Sequence, residues 1–315
     1  DSAYASASDL ASSGAQVVVL DSRSSIPRTL RSLCEAGGIQ LRLDSAPEKV
    51  LGGKVVSGLQ LARRQTVGWQ SSDRIDCDLI LVSGGWSPVV NLFSHRGIKP
   101  IWNPELACFL APACEEAILA AGSAAGIWDH EACANSGRDA ATQALQILEN
   151  PSQIATVPVA GNWEGPIDPL YEVRTSGKKL KSFVDPQHDV TTDDIRLAQH
   201  EGYVSVEHLK RYTTLGMATD QGKMGNIIGI ALMAEALGKE IPEVGTTTFR
   251  PPYTPISIGA LKGRNVGPHF RPLRRTPLHE WNLSAGGTMT MAGLWHRPWF
   301  FPRGDDPTSD AEVPE

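Results

Sequence analysis

Thiols are scarce in this sequence and confined to its first half. Five cysteines occur among 315 residues, the last at position 133. Their number is odd and no pair has CxxC spacing. A disulfide framework is therefore not expected, and free buried thiols in a reducing compartment are. The second half must do any chemistry without them. Positive charge is not in excess either: 29 Lys and Arg face 35 Asp and Glu, a net charge of -6, which argues against a nucleic-acid binder. No apolar run is long enough to span a bilayer. The opening "DSAYASASDL" has neither a basic nor an apolar signal region, so a cytoplasmic location away from membranes is expected. It also has no initiator Met, which suggests processing or a piece of a longer chain. The eight histidines form no HxH, HExxH or Cys/His cluster, so no metal site is expected. No GxSxG elbow occurs. The carboxylate pairs Glu115–Glu116 and Asp193–Asp194 read as charges at helix N-termini.

One stretch looks built to hold a ligand: "YTTLGMATDQGKMGN", Tyr212 to Asn226. It is not a Walker A loop. Five residues separate Gly216 from Gly222 where four are needed, and Met224 follows Lys223. What stays open is a weaker anion site at the start of the next helix, helped by Lys223 and Arg211, or a polar turn with a helix cap.

The pattern along the chain is α/β. Ser2–Ser13 reads as a helix stopped by Gly14, followed by the β-branched run "AQVVVL" and Asp21. That order is the second half of a dinucleotide-binding βαβ unit, whose glycine-rich turn would lie at or before residue 1. A helix from Pro27 to Ala36, a strand "IQLRL" and a β-meander over Lys49–Arg63 follow. Two runs then read as buried strands ending in glycine, Cys77–Pro88 and Glu115–Asp129, before an Ala-rich helix at His130–Leu148. Together these predict an open, mostly parallel sheet with helices on both faces. Ligands bind such sheets beyond the carboxyl ends of the strands, which singles out Gly84, Gly85, Gly122 and Gly126. Residues 151–181 have the Pro/Gly content of a linker. Three short helices follow: one capped by Thr191 or Thr192, one by Ser205, and the apolar "GNIIGIALMAEALG". "IPEVGTTTFRPPYTP" cannot be a regular helix, and the acidic end from Asp305 is expected to fray.

The strings "CDLILVSGGWSPVVNLFSHRG", "FVDPQHDVTTDD", "EGYVSVEHLKRYTTLGMATDQGK", "VGTTTFRPPYTP" and "GLWHRPWFFPR" together resemble the alpha subunits of heterotetrameric sarcosine oxidases, in order and over nearly the whole chain. The resemblance implies an internal fragment, without the N-terminal glycine-rich turn and most of a C-terminal folate-binding domain. It implies a disulfide-reductase-like, FAD/NAD(P)-binding dinucleotide domain, with residues 1–75 an inserted nucleotide-type subdomain and 76–150 its return. A linker (151–181) and a small helical domain of ferredoxin-like ancestry (182–240) follow. Residues 241–315 would be a wrapping segment and the start of an aminomethyltransferase-like domain, with "TPLHEW" and "WHRPWFFPR" as its first strands.

For the site, the resemblance implies NAD held at the loop "GSAAGIWDH": Ser123, Trp128 and His130, with Gly122 and Gly126 beside them. Related flavoproteins have Gly-Asp where this chain has Gly122-Ser123, so flavin is not expected there. Relatives with a [2Fe–2S] cluster carry cysteines where this chain has Asp185, Gln187, Asp220 and Gly225, so no iron–sulfur cluster is expected. The resemblance also implies FAD on a beta subunit, FMN at the alpha–beta interface, tetrahydrofolate on the missing domain, and gamma and delta subunits. Arg211, Thr213, Thr214, Gln221, Lys223 and "TTTFR" would then face FMN and the beta subunit, and no catalytic residue falls in this chain. The alternatives are an alpha subunit of a related secondary-amine or opine oxidoreductase, and a non-catalytic NAD-binding scaffold.

Overall fold

The computed structural model describes residues 2–113, 118–149, 167–176, 180–249, 251–264 and 266–302. The chain divides into two compact units, 1–254 and 255–315.

The first unit opens with α1 (Ser2–Ser12), β1 (Val18–Leu20), α2 (Arg28–Ala36) and β2 (Gln40–Arg42). β1 and β2 pair in parallel, as a βαβ step requires. Tyr4 and Ala7 of α1, Val19 of β1, Cys34 of α2 and Ile39 bury one another in a small core. Next comes the predicted meander: β3 (Ser45–Gly52), β4 (Val56–Arg64) and β5 (Trp69–Ile75), antiparallel with β4 central. Leu59, Leu61 and Ala62 of β4 supply its buried face.

The two glycine-ended runs depart from expectation. Residues 77–90 form no strand and have no ladder partner among the described residues, and Leu79, Leu81 and Val82 are exposed. A strand exists only through hydrogen bonds to a neighbour, so an apolar run alone does not make one. In the second run, residues 118–121 are unpaired and Gly122–Ala125 forms one 3-10 turn. Glu115 and Glu116 lie outside the described residues. Among the described residues of this unit, parallel pairing is thus confined to β1 and β2.

Between these runs the structure has elements the pattern did not announce: α3 (Asn91–His95) and a hairpin of β6 (Ile101–Asn103) with β7 (Cys108–Leu110). The hairpin had a signal in "IWNPELACF", where Asn-Pro turns the chain and the Asn103 side chain accepts from Leu106 N–H at 2.9 Å. α4 (His130–Glu149) matches the Ala-rich helix.

The helical module starts with a short antiparallel pair, β8 (Phe183–Asp185) and β9 (Val190–Thr191). α5 (Thr192–His200) is closed by a capping box between Thr191 and Asp194. α6 (Val206–Thr213), α7 (Asn226–Leu237) and α8 (Ile241–Val244) complete it. Ile195, Ala198, Leu209, Leu215, Ile230 and Met233 form its core. Phe109 of β7 is buried in that same core and Trp102 of β6 packs against it, so the hairpin and the module share one apolar interior.

The second unit holds α9 (Ile258–Leu261), β10 (Arg274–Arg275), α10 (His279–Ser284), β11 (Thr288–Ala292) and β12 (Trp295–Phe300). β12 is central, antiparallel to β11 and parallel to β10. "WHRPWFFPR" is a strand as expected, but "TPLHEW" enters α10. Pro277 cannot donate to a ladder, and His279 N–H instead closes a turn onto the Thr276 carbonyl at 3.0 Å. The acidic end from Asp305 and the linker residues 151–166 lie outside the described residues.

Candidate functional site

The two glycine-bearing loops meet through their tryptophans. Trp86 and Trp128 have ring centroids 5.8 Å apart at 32°. Ser83 hydrogen-bonds Ser2 of α1 at 2.8 Å, so the 83–86 loop sits between α1 and Trp128. Nothing lies within 4 Å of where a Cβ would stand at Gly84 or Gly85. Their backbone is open to a ligand. Gly126 differs: its φ is +79°, and a Cβ there would come within 2.7 Å of Leu110. It serves packing against β7. Ser123 and His130 are exposed and Trp128 half-buried. Asp129 caps α4 through Ala132 N–H at 2.8 Å. Sequence reasoning passed over Trp86, although a tryptophan directly after the Gly84–Gly85 pair was there to be read.

Asp21, the acid at the end of β1, is committed inside the fold. Its carboxylate accepts from Tyr4 Oη at 2.6 Å and from Arg23 Nη2 at 2.8 Å, and its side chain is 10% exposed. Burial alone would raise its pKa, yet the hydrogen bonds from Arg23 and Tyr4 hold it below the usual carboxylate range. Burial, then the hydrogen bond to Asp21, push the Tyr4 phenol up. Burial pushes the Cys34 thiol up and the Cys108 thiol to about 11, which keeps these two unreactive.

The glycine-rich stretch of the helical module faces the loop after β8. Asp185 is buried, and its carboxylate accepts from the backbone N–H groups of Gln187 at 3.0 Å and Gly216 at 3.1 Å. Thr219 Oγ1 donates to Gln187 Oε1 at 3.0 Å. The Asp220 carboxylate accepts from Gly222 N–H and Met224 N–H, both at 3.3 Å. The carboxylate thus ties together the turn that precedes α7. A Cβ at Gly216 or Gly222 would overlap the Asn226 carboxamide, and one at Gly225 would come 2.7 Å from the Val184 carbonyl. The glycines thus make room for a buried asparagine and for β8.

Of the five predicted interface residues, four spend their polar groups locally. Thr213 Oγ1 donates to Leu209 O at 2.8 Å, Thr214 Oγ1 to Thr213 O at 2.6 Å, and Gln221 Nε2 to Ala218 O at 2.8 Å. Lys223 Nζ donates to Tyr253 O at 3.0 Å and lies 4.1 Å from the centre of that ring. Arg211 reaches Glu207 only at 3.8 Å and is 56% exposed. In "TTTFR", Thr247 is buried and Thr248 N–H donates to Glu207 Oε1 at 2.6 Å; Arg250 lies outside the described residues. An open cavity of about 470 Å³, bordered by Gln187, His188, Met217, Ala218, Thr219 and Gln221, flanks this loop. Among the described residues no three His, Cys, Asp or Glu side chains cluster as metal ligands, and no helix is long and apolar enough to cross a membrane.

Known proteins agree with this architecture. Residues 179–264 match the family described as the sarcosine oxidase A3 domain. The chain is 39% identical over 312 residues to the sarcosine oxidase subunit alpha of Rhizobium meliloti (strain 1021), covering 98% of this chain and 30% of that protein. It is 34% identical to the one from Corynebacterium sp. (strain P-1), covering 99% of this chain and 33% of that one. Among solved structures, L-proline dehydrogenase from P. horikoshii shares the fold, with a TM-score of 0.53 and 18% identity over 78% of this chain and 50% of that one. This α/β chain spans about a third of the length of these curated relatives, and along nearly all of its own length it belongs with the sarcosine oxidase alpha subunits and holds their A3 domain at residues 179–264.

Proposed function

We propose that the chain is the dinucleotide-holding and docking portion of an alpha subunit in a cytoplasmic, sarcosine oxidase-type complex. That complex oxidises sarcosine with O2 and tetrahydrofolate to glycine, 5,10-methylenetetrahydrofolate and hydrogen peroxide, with the amine oxidised on an FAD-bearing beta subunit. In this reading residues 1–75 and 76–150 form the nucleotide-type domain, 182–240 the helical domain and 241–315 the start of the folate-binding domain. NAD, as a bound and non-reacting dinucleotide, supplies no chemistry of its own here. The observation that carries the reading is the meeting of the two glycine-bearing loops through Trp86 and Trp128.

The residues fit such a ligand. The open backbone at Gly84 and Gly85 admits close approach of a pyrophosphate. The indole of Trp128 offers a flat face to a planar ring, and Ser123 and His130 offer polar groups at the exposed rim. At the FMN and beta-subunit face, Arg211 is the least engaged of the donors. The other four hold the shape of the loop that Arg211 flanks. Beta, gamma and delta subunits complete the assembly.

The test is titration of the full chain with NAD+, followed by tryptophan fluorescence. Saturable quenching that Trp128→Ala abolishes supports the reading. No saturable response in the folded chain, or a response unchanged in the variant, overturns the assigned site.

A further inference from the structure

The second unit inverts the usual rule of burial. Among its described residues no apolar side chain is fully buried; Trp281, Trp299 and Phe270 are all exposed, whereas the two buried side chains are His279 and Asn282. Buried polar groups in native folds have partners, and exceptions call for an explanation. Here the exceptions coincide. The Nδ1 atoms of His279 and His296 are both inaccessible and both lack a hydrogen-bond partner. The two rings lie against each other with centroids 5.1 Å apart.

The scaffold around them is firm. His279 is the first residue of α10, and His296 sits in β12, held on one side by Met291 of β11 and on the other by Arg275 of β10. Asn282 follows His279 by three residues and so lies on the same face of α10. Neither imidazole offers the other a satisfactory bond in its present setting, because neither Nδ1 has a partner. Two imidazoles bound to one tetrahedral ion stand with ring centres about 5 Å apart, given metal–nitrogen bonds of about 2.0–2.1 Å.

We propose that His279 and His296 form a two-imidazole site for a divalent transition-metal ion of borderline softness, such as Zn2+ or Cu2+, bound through the two Nδ1 atoms. Imidazole nitrogen suits these ions and not Mg2+ or Ca2+. The side chain of Asn282, buried and three residues on along α10, adds a candidate oxygen donor on the same helical face. No third His, Cys, Asp or Glu joins the pair among the described residues. The remaining positions therefore belong to water or to an exchangeable ligand, and the ion is held reversibly. This site is independent of the dinucleotide reading, which concerns the other unit.

The experiment uses the full chain, stripped with a chelator and titrated with Zn2+ by calorimetry. One ion per chain is expected, with at least a tenfold weaker Kd in His279→Gln and in His296→Gln, and an unchanged Kd in His208→Gln. A measurement that needs no substitution guards against variants that fail to fold. Diethylpyrocarbonate labelling of the native chain, read by mass spectrometry, should show Zn2+ shielding His279 and His296 specifically. Absence of binding, binding that both variants retain, or shielding at other histidines instead overturns the proposal.

Discussion

Asp185 accepts a hydrogen bond from the backbone N–H of Gly216 at 3.1 Å, joining two loops 31 positions apart in sequence. The same carboxylate holds Gln187 N–H. A buried carboxylate thereby fastens the end of β8 to the glycine-rich loop, and Asp220 organises the other end of that loop.

Asp185→Ala leaves these backbone donors buried and unpaired. It should destabilise the chain by about 2–3 kcal/mol, the order expected for losing hydrogen bonds to a charged group. The midpoint of denaturant unfolding reads this. A midpoint within error of the parent would remove the fastening role.

Gly222→Ala should be worse than a surface change. Its φ is +76°, and the added Cβ meets the Asn226 carboxamide. Strain and overlap together suggest about 2–4 kcal/mol. Thermal melting of the purified variant checks it.

Gly84→Ala separates stability from binding. The backbone φ there is not in the left-handed region, and nothing crowds the new methyl group. Stability should stay within about 0.5 kcal/mol, while affinity for NAD+ falls. Unchanged NAD+ affinity in a well-folded variant would detach Gly84 from the site.

Acid sensitivity has a local source in Glu172. Its side chain is 8% exposed and ion-paired with Arg174 at 2.5 Å and with Arg196. Burial would raise its pKa, but hydrogen bonds from Arg174 and Thr192 and the charge of Arg196 outweigh burial and lower it. A carboxylate depressed on folding stabilises the fold above its unfolded pKa, about 4.3, and that contribution is lost as pH falls through the folded value. Unfolding midpoints compared at pH 7 and pH 3 should therefore differ less in Glu172→Gln than in the parent.

Arg211→Glu should leave the chain folded, since the side chain is exposed and its one ion pair is long. In the assembled complex it should lower flavin content and oxidase turnover. Unchanged values in both would place the flavin interface elsewhere.

Much of the local structure was legible in residue patterns. A cap at Thr191 or Thr192, the stop at Gly14, the meander and the apolar α7 all follow from short-range rules, because a helix or hairpin satisfies most of its own backbone groups; that Asp194 completes a capping box with Thr191 came from the structure. The run from Cys77 was misread for the opposite reason: an apolar stretch becomes a strand only if another segment pairs with it. The proposed site was only partly marked in the sequence. Glycines flagged the 84–85 loop, but the contact between Trp86 and Trp128 joins residues 42 positions apart, a distance read from their numbers and invisible to any local pattern.

By itself the sequence determined the α/β character, the family and several of the helices, since these rest on local propensity and on strings shared with relatives. Only the tertiary structure decided which polar groups are free. It showed Asp21 and four of the five interface donors already bound within the fold, Asp185 and Asp220 occupied by backbone N–H groups, and His279 and His296 buried with nitrogens unpaired. Availability of a side chain depends on what long-range packing sets against it, and no count of residue types carries that information.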